Sequence, residues 1–444
     1  MPLGVAGVAA LALTGCVGDA PTSPSGEPGE SQAPAAEGCE AYADYGTFDG
    51  ASVDIYGTIL DVEQERLNES WAEFEECTGI DVVYEGSGEF EAQINVRVQG
   101  GNPPDLAIFP QPGLLASVVG TGSVLPAPES VQANAQEFWS EDWQNYGTVD
   151  GTFYAAPLMA SIKGYVWYSP SVWAERGWEV PTTLDELDAL TAEIAADGTM
   201  LPWCVGFGSG EATGWPGTDW VEDYVLRTAG PDVYDQWITN EIPFNDPQIV
   251  SAMDRVGDLI KNPDYVNGGI GDVTTIATTD FQTAGHGVAS GECGMHHQAS
   301  FYEGLWPEGT TVAEDGDVWA FILPGEEAGA TPVTGGGEFV GAFSDAEEVV
   351  AFQTYLSSAE WANSRVSLGG VLSANSGLDP ENASSPLLVS AAETLQDPGT
   401  TFRFDGSDLM PGAVGSGTFW RAMVDWISGA DTETVLGQVE SSWP

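Results

Sequence analysis

The chain has 444 residues, 42% of them hydrophobic, and a formal net charge of −58 from 10 basic and 68 acidic residues. That length exceeds what one hydrophobic core serves, so two lobes or domains are expected, and the hydrophobic share excludes a disordered chain. The charge repels nucleic acid and anionic headgroups and argues against a polyanionic ligand, which leaves a neutral one.

Residues 3–15 form an apolar run, too short for a membrane-spanning helix of about 20 residues and suited to a signal-peptide core. It ends in Leu13-Thr14-Gly15-Cys16, a string that resembles the bacterial lipobox, whose cysteine takes a lipid. No Lys or Arg precedes the run, which departs from that pattern. Residues 17–38 are Gly, Pro, Ser, Ala and Glu without periodic apolar positions, the composition of a flexible tether.

From Cys39 the pattern becomes globular. Ser52–Tyr56, Ile80–Tyr84 and Asp105–Phe109 read as strands; Glu63–Cys77 and Glu89–Gln99 read as helices between them. Strand–helix alternation predicts a parallel α/β sheet, with ligands beyond the carboxyl ends of its strands. Tyr56, Glu89 and Gln111 stand at those ends. Pro157 marks a possible crossing into a second lobe. Thr183 and Glu186 form a capping box before a helix that Gly198 ends. Trp215 to Trp220 join two indoles and the carboxylate of Asp219 at a helix start. Residues 245–262 and 279–290 are expected as helices, Cys293–His296 and Val318–Leu323 as strands.

Residues 334–344 are read as the return from one lobe to the other across a cleft floor. Gly335, Gly336 and Gly337 run into Glu338; a strand Phe339–Phe343 and a helix from Ser344 follow. Glycine permits unusual dihedrals and close approach of backbone to a ligand, although an ordinary Gly-rich turn fits the same letters. Residues 345–366 read as helix, and the tail as helical with Phe402–Asp405 and Phe419–Arg421 inside it.

Of five cysteines, Cys16 is early and four remain, an even number that suits two disulfides in an exported protein. Three connectivities are open; Cys39–Cys77 and Cys204–Cys293 are favoured because each pair falls within one proposed lobe. No metal site is expected: there is no CxxC or zinc-type spacing, and His296 and His297, adjacent on a strand, point to opposite faces. No nucleophile elbow, phosphate loop, dinucleotide fingerprint or HExxH is present, so no cofactor is expected. What stands out is aromatic residues beside single polar groups. Indoles cover the C–H faces of a neutral sugar, and charged or amide groups bond its hydroxyls. Candidate clusters are Trp215/Asp219/Trp220, Gly336/Gly337/Glu338, Arg403/Asp405, and Trp420.

The strings PDLAIFPQPGLL (104–115), YAAPLMASIKGYVWYSP (154–170), ATGWPGTDWVED (212–223), EIPFND (241–246), KNPDYVNGG (261–269), GGGEFVGAFS (335–344) and FRFDGSDLMPGAVGSGTFW (402–420) resemble the family 1 extracellular solute-binding proteins of ABC importers. The α-glucoside-binding branch is the nearest likeness, and it spans Cys39 to the end. The resemblance implies two α/β lobes joined by about three hinge crossings, closing on a sugar. It implies that Trp420 is the tail tryptophan that stacks on a sugar ring and that 215–220 is the second-lobe aromatic site. Phe301 stands where such binders often carry tryptophan. Gln111 stands where they usually carry an Asp and an Arg. Glu89 and Lys163 are polar partners by position.

The expectation is therefore a two-lobed α/β protein of the periplasmic-binding-protein-like type II fold. A signal segment (1–16) and a tether (17–38) come first. Residues 39–158 and 335–370 form lobe 1; 159–334 and 371–444 form lobe 2. It would bind a sucrose-, maltose- or trehalose-like sugar as a monomer and hand it to a permease. A lipid at Cys16 would hold it on the outer face of the cytoplasmic membrane. Rival readings are a secreted glycoside hydrolase and a binder of another neutral solute.

Overall fold

The computed structural model describes residues 38–267, 271–397 and 399–444; the expected signal segment, Cys16 and the tether up to residue 37 lie outside them. The strands, in chain order, are β1 (Ser52–Gly57), β2 (Asp81–Gly86), β3 (Leu106–Phe109), β4 (Thr148–Val149), β5 (Thr152–Phe153), β6 (Ala155–Ile162), β7 (Tyr165–Tyr168), β8 (Leu201–Cys204), β9 (Cys293–Gln298), β10 (Trp319–Ile322), β11 (Val333–Ala342) and β12 (Phe402–Phe404). Two sheets carry the architecture. The first runs β12-β11-β3-β1-β2, with β6 also paired to β11; the second runs β10-β7-β9-β8. This is the mixed α/β, two-lobed type II architecture that the sequence led us to expect.

Strand alternation sets the first sheet's two faces. Val53, Ile55, Leu106, Ile108 and Val340 join Leu67, Trp71, Phe74 and Phe352 in one core. Tyr56, Ala107, Phe109 and Phe339 join Phe90, Leu115 and Trp143 in the core on the other face. A separate core around the second sheet takes Val166, Trp203, Trp220, Val225, Met253 and Trp426. β6 stays in the first sheet to Ile162, so the chain passes to the second over Lys163-Gly164, beyond the crossing expected near Pro157. Gly164 has φ +74°, and a Cβ there would meet the Asp223 carboxylate at 2.6 Å. Only glycine turns the chain at this point without strain.

Several expected elements differ. The helix over 63–77 is two helices, Asp61–Glu69 and Ala72–Thr78; 279–290 and 345–366 divide likewise. The N-cap at Thr183 forms: the N–H of Glu186 donates to Thr183 Oγ1 at 3.2 Å, the Glu186 carboxylate accepts from the N–H and hydroxyl of Thr182 at 2.7 Å, and Gly198 ends the helix in the left-handed region. Phe402–Phe404 is not helical but pairs in parallel with β11. The triple glycine is not a turn; it lies inside β11, and the next helix begins at Glu347. The glycines serve close packing rather than unusual dihedrals. A Cβ on Gly335 would lie 2.3 Å from the Phe402 ring, and one on Gly337 2.4 Å from the Met159 carbonyl oxygen.

Both favoured disulfides are present. Cys39–Cys77 ties the start of the described chain to the helix Ala72–Thr78, and Cys204–Cys293 joins β8 to β9. Among the described residues no helix is long and apolar enough to cross a membrane.

Candidate functional site

The site is built around Lys163, in the crossing between β6 and β7. Its stem lies over Gly336, where a Cβ would sit 3.3 Å from Lys163 Cε. Its ammonium donates to Asp219 Oδ1 at 2.9 Å and to Asp405 Oδ2. Asp219 comes from the helix Trp215–Thr228, and Asp405 caps the short helix Gly406–Leu409. Glu222, one turn beyond Asp219, accepts from the N–H groups of Gly406 (2.8 Å) and Ser407 (2.9 Å). Three separate stretches of chain thus bring one ammonium and three carboxylates together in a buried place.

The electrostatics follow. Burial by itself would depress the Lys163 ammonium, but Asp219 and Asp405 outweigh it and raise its pKa well above the ordinary lysine value. Burial drives the Asp219 carboxyl well above its ordinary value, with Lys163 pulling the other way. Glu222 is raised by burial and by the charge of Asp405. Asp405 goes down: burial opposes ionisation, but the ammonium dominates. One carboxylate oxygen from each of Asp219, Glu222 and Asp405 lies within 4.8 Å of the others, a set that could hold a metal ion. Lys163 already supplies a positive charge there.

Beneath this cluster Asp223 anchors the helix to both sheets. Burial would raise its carboxyl, but Arg227 Nη1 (2.6 Å), His297 Nε2 (2.7 Å) and Thr334 Oγ1 (2.6 Å) hold it down at about 2. His296 faces the other way, with Nδ1 2.9 Å from the Cys204 carbonyl oxygen.

An aromatic surface adjoins the ammonium. Lys163 Nζ lies 5.2 Å from the Trp215 ring centroid, within cation–π range. Trp215 meets Phe281 edge-on at 4.9 Å and Phe301 at 6.2 Å, and all three rings are partly exposed. Phe301 therefore stands in the expected aromatic patch. Trp420 is buried, with its main-chain carbonyl pressed on Gly214, the residue before Trp215. Its indole N–H has no protein acceptor among the described residues.

Other expected residues are placed differently. Trp220 turns away from the cluster into the second core, 5.1 Å from the Trp203 ring and 4.2 Å from the His297 ring. It sits five residues after Trp215, which puts the two indoles on different faces of one helix. Arg403 is committed to Asp235, with Nε at 2.6 Å and Nη2 at 2.9 Å. Tyr56 is buried between the Phe90 ring and the Arg97 guanidinium. Glu89 is exposed at the start of its helix; the next acid along, Glu91, is the one that meets Gln111, whose Nε2 donates to it at 3.4 Å. Glu338 is half-buried on β11, and its carboxyl is pushed up to about 7 by burial and by Glu63.

The sequence reading passed over Glu222, Phe281, Glu63 and Arg365. One signal was available for the last. With 10 basic residues in 444, each is a scarce choice, and the buried ones, Lys163, Arg227 and Arg365, all sit beside carboxylates.

Comparison with known proteins gives concordant results. The family described as "Bacterial extracellular solute-binding protein" matches residues 61–363. The chain is 38% identical over 410 residues to the "Osmoprotective compounds-binding protein GgtB" of Synechocystis sp., covering 91% of this chain and 96% of that one. It is 38% identical over 407 residues to the "Alpha-glucosides-binding periplasmic protein AglE" of Rhizobium meliloti, covering 89% and 87%. Among solved structures, the bacterial solute receptor AcbH superposes with a TM-score of 0.73 at 17% identity, covering 88% of this chain and 98% of that one.

Proposed function

The chain belongs to the family of bacterial extracellular solute-binding proteins, and from that premise we propose that it is the sugar-capturing component of an ABC importer, specific for an α-glucoside. It is a binding protein rather than an enzyme, which sets aside a secreted glycoside hydrolase. The observation that carries the sugar reading is the partly exposed indole of Trp215 beside Lys163, which Asp219 and Asp405 hold. An indole face covers the C–H face of a pyranose ring. The adjacent charged groups bond its hydroxyls more strongly than neutral partners do. The likeness to AglE, named for α-glucosides, narrows the class. In this reading the lobes close over the solute by a hinge at the crossings, Lys163-Gly164 among them, and exclude water. The closed form docks on a permease as a monomer, tethered through Cys16 to the outer face of the membrane.

The equal likeness to GgtB, named for osmoprotective compounds, favours a second reading in which the solute is a smaller polyhydroxylated compound. A thermal-shift panel of maltose, sucrose, trehalose, free glucose and polyols separates the two. A ligand that binds only the folded state raises the melting temperature with concentration. Stabilisation by α-glucosides above all others is the expected result; stabilisation by polyols alone would replace the first reading with the second.

A further inference from the structure

Glu338 stands where β11 changes partners. β12 pairs with residues 333–335 and β3 with 339–342, so no strand covers 336–338 on that edge. On the other edge the register with β6 slips between Gly337 and Phe339, opposite Glu338. The extra residue lies in β6, between Pro157 and Ala160, so β11 keeps its alternation past Glu338. Gly336 and Glu338 are two residues apart and share a face of the strand. Gly336 lies under Lys163. Glu338 lies roughly 6.6 Å further along, a spacing comparable to that of adjacent rings in a disaccharide.

What faces Glu338 is a set of ionisable groups, of which Lys163 is already paired with Asp219 and Asp405 and the Tyr84 hydroxyl with the Ile59 backbone. Glu63 and Arg66 come from the helix Asp61–Glu69, Tyr84 from β2, Lys163 from the crossing and Arg365 from the helix Ala359–Ser367. Arg365 is 1% exposed; Nη1 donates to the Gly369 carbonyl oxygen at 2.9 Å, while Nε and Nη2 have no partner among the described residues. Neither Glu63 nor Glu338 reaches it at ion-pair distance. Two buried guanidinium N–H groups without acceptors are costly, and with the partly exposed carboxylates of Glu63 and Glu338 nearby they call for a bridging group. A sugar hydroxyl accepts from one side and donates to the other.

We propose that Glu63, Glu338 and Arg365 form a second hydroxyl-binding subsite, beside the Lys163 cluster, that holds the second residue of a two-residue glycoside. The proposal rests on the α-glucoside reading. It makes binding proton-linked. In the free protein, burial and Glu63 push the Glu338 carboxyl up to about 7. A hydroxyl donating to the carboxylate favours the charged form and lowers that pKa. Affinity then rises as pH rises through 7 and levels above it.

The test is calorimetric titration of the wild type, Glu338→Gln and Arg365→Lys with methyl α-D-glucopyranoside and with the tightest of maltose, sucrose and trehalose, from pH 6 to 8.5. Both variants are expected to lose at least tenfold in disaccharide affinity with no change for the methyl glucoside, and Glu338→Gln to lose the step near pH 7. Two variants that bind the disaccharide as the wild type does, with the same pH profile, overturn the subsite and leave the α-glucoside reading intact. A folded wild type that binds no α-glucoside overturns that reading, and the subsite with it.

Discussion

Replacing Lys163 with methionine removes the ammonium from among Asp219, Glu222 and Asp405 while keeping most of the side chain's apolar length. Asp219 and Asp405 each lose a charge partner that is 9% exposed at its side chain, and they are themselves 4% and 1% exposed. Breaking a buried pair by removing one member costs about 3–5 kcal/mol, because the other charge stays buried without compensation. Taking an unfolding entropy of ~2.1 cal/mol/K per residue over 444 residues, that loss lowers the melting temperature by roughly 3–6 °C. The sign of the pH dependence distinguishes this cause from mere loss of packing. In the wild type the raised Lys163 pKa contributes stability that is complete below the ordinary lysine value and is lost only as pH climbs through the folded value. In the variant the Asp219 carboxyl, already raised by burial, loses the pull that lowered it and rises further. The folded state then holds a proton that the unfolded state releases, so stability falls as pH rises above about 4, the ordinary carboxylate value. Melting curves at pH 5 and pH 8 should show a small deficit at the lower pH and the full one at the higher. Adding Asp405→Asn should recover part of it, since the two residues act as one unit. An equal deficit at both pH values, or none, would refute the account of Lys163 as the charge that offsets the burial of these acids.

Other outcomes follow from the same geometry. Trp215→Ala should weaken α-glucoside binding ten- to a hundredfold, about 1.4–2.8 kcal/mol, with a smaller change in melting temperature than a fully buried tryptophan gives because the ring is partly exposed; calorimetry beside a melting curve checks both halves. Trp220→Ala should do the reverse. A fully packed aromatic removed from a core costs about 3–5 kcal/mol, while sugar affinity of the folded fraction stays within twofold. Reducing the disulfides should destabilise the fold in denaturant titration. In the chain-entropy picture the 89-residue separation of Cys204–Cys293 contributes ~4.6 kcal/mol and the 38-residue separation of Cys39–Cys77 ~3.9 kcal/mol. Paired serine variants should rank in that order.

What could be read from the letters alone was whatever depends on neighbours in the chain. The strand–helix alternation over 52–109, the N-cap at Thr183, the opposed faces of His296 and His297 and the helix start at Trp215 are all set by local periodicity and backbone chemistry. The two disulfides were narrowed by placing each cysteine pair within one proposed lobe, while the two-lobed fold class itself came from the family resemblance. Which side chain faces which was beyond local reading, because long-range pairing decides it. Phe402–Phe404 became a strand only because β11 offered it an open edge. The glycines before Glu338 became strand because β6 and β12 pair with them, and Phe402 and the Met159 carbonyl leave no room for a Cβ on Gly335 or Gly337. Trp215 and Trp220 look alike in sequence, yet the helix turns one toward Lys163 and the other into the core. Lys163, Asp219 and Asp405 span more than half the chain, and nothing in their spacing joins them. Charges meet through space, and only the folded backbone sets those distances.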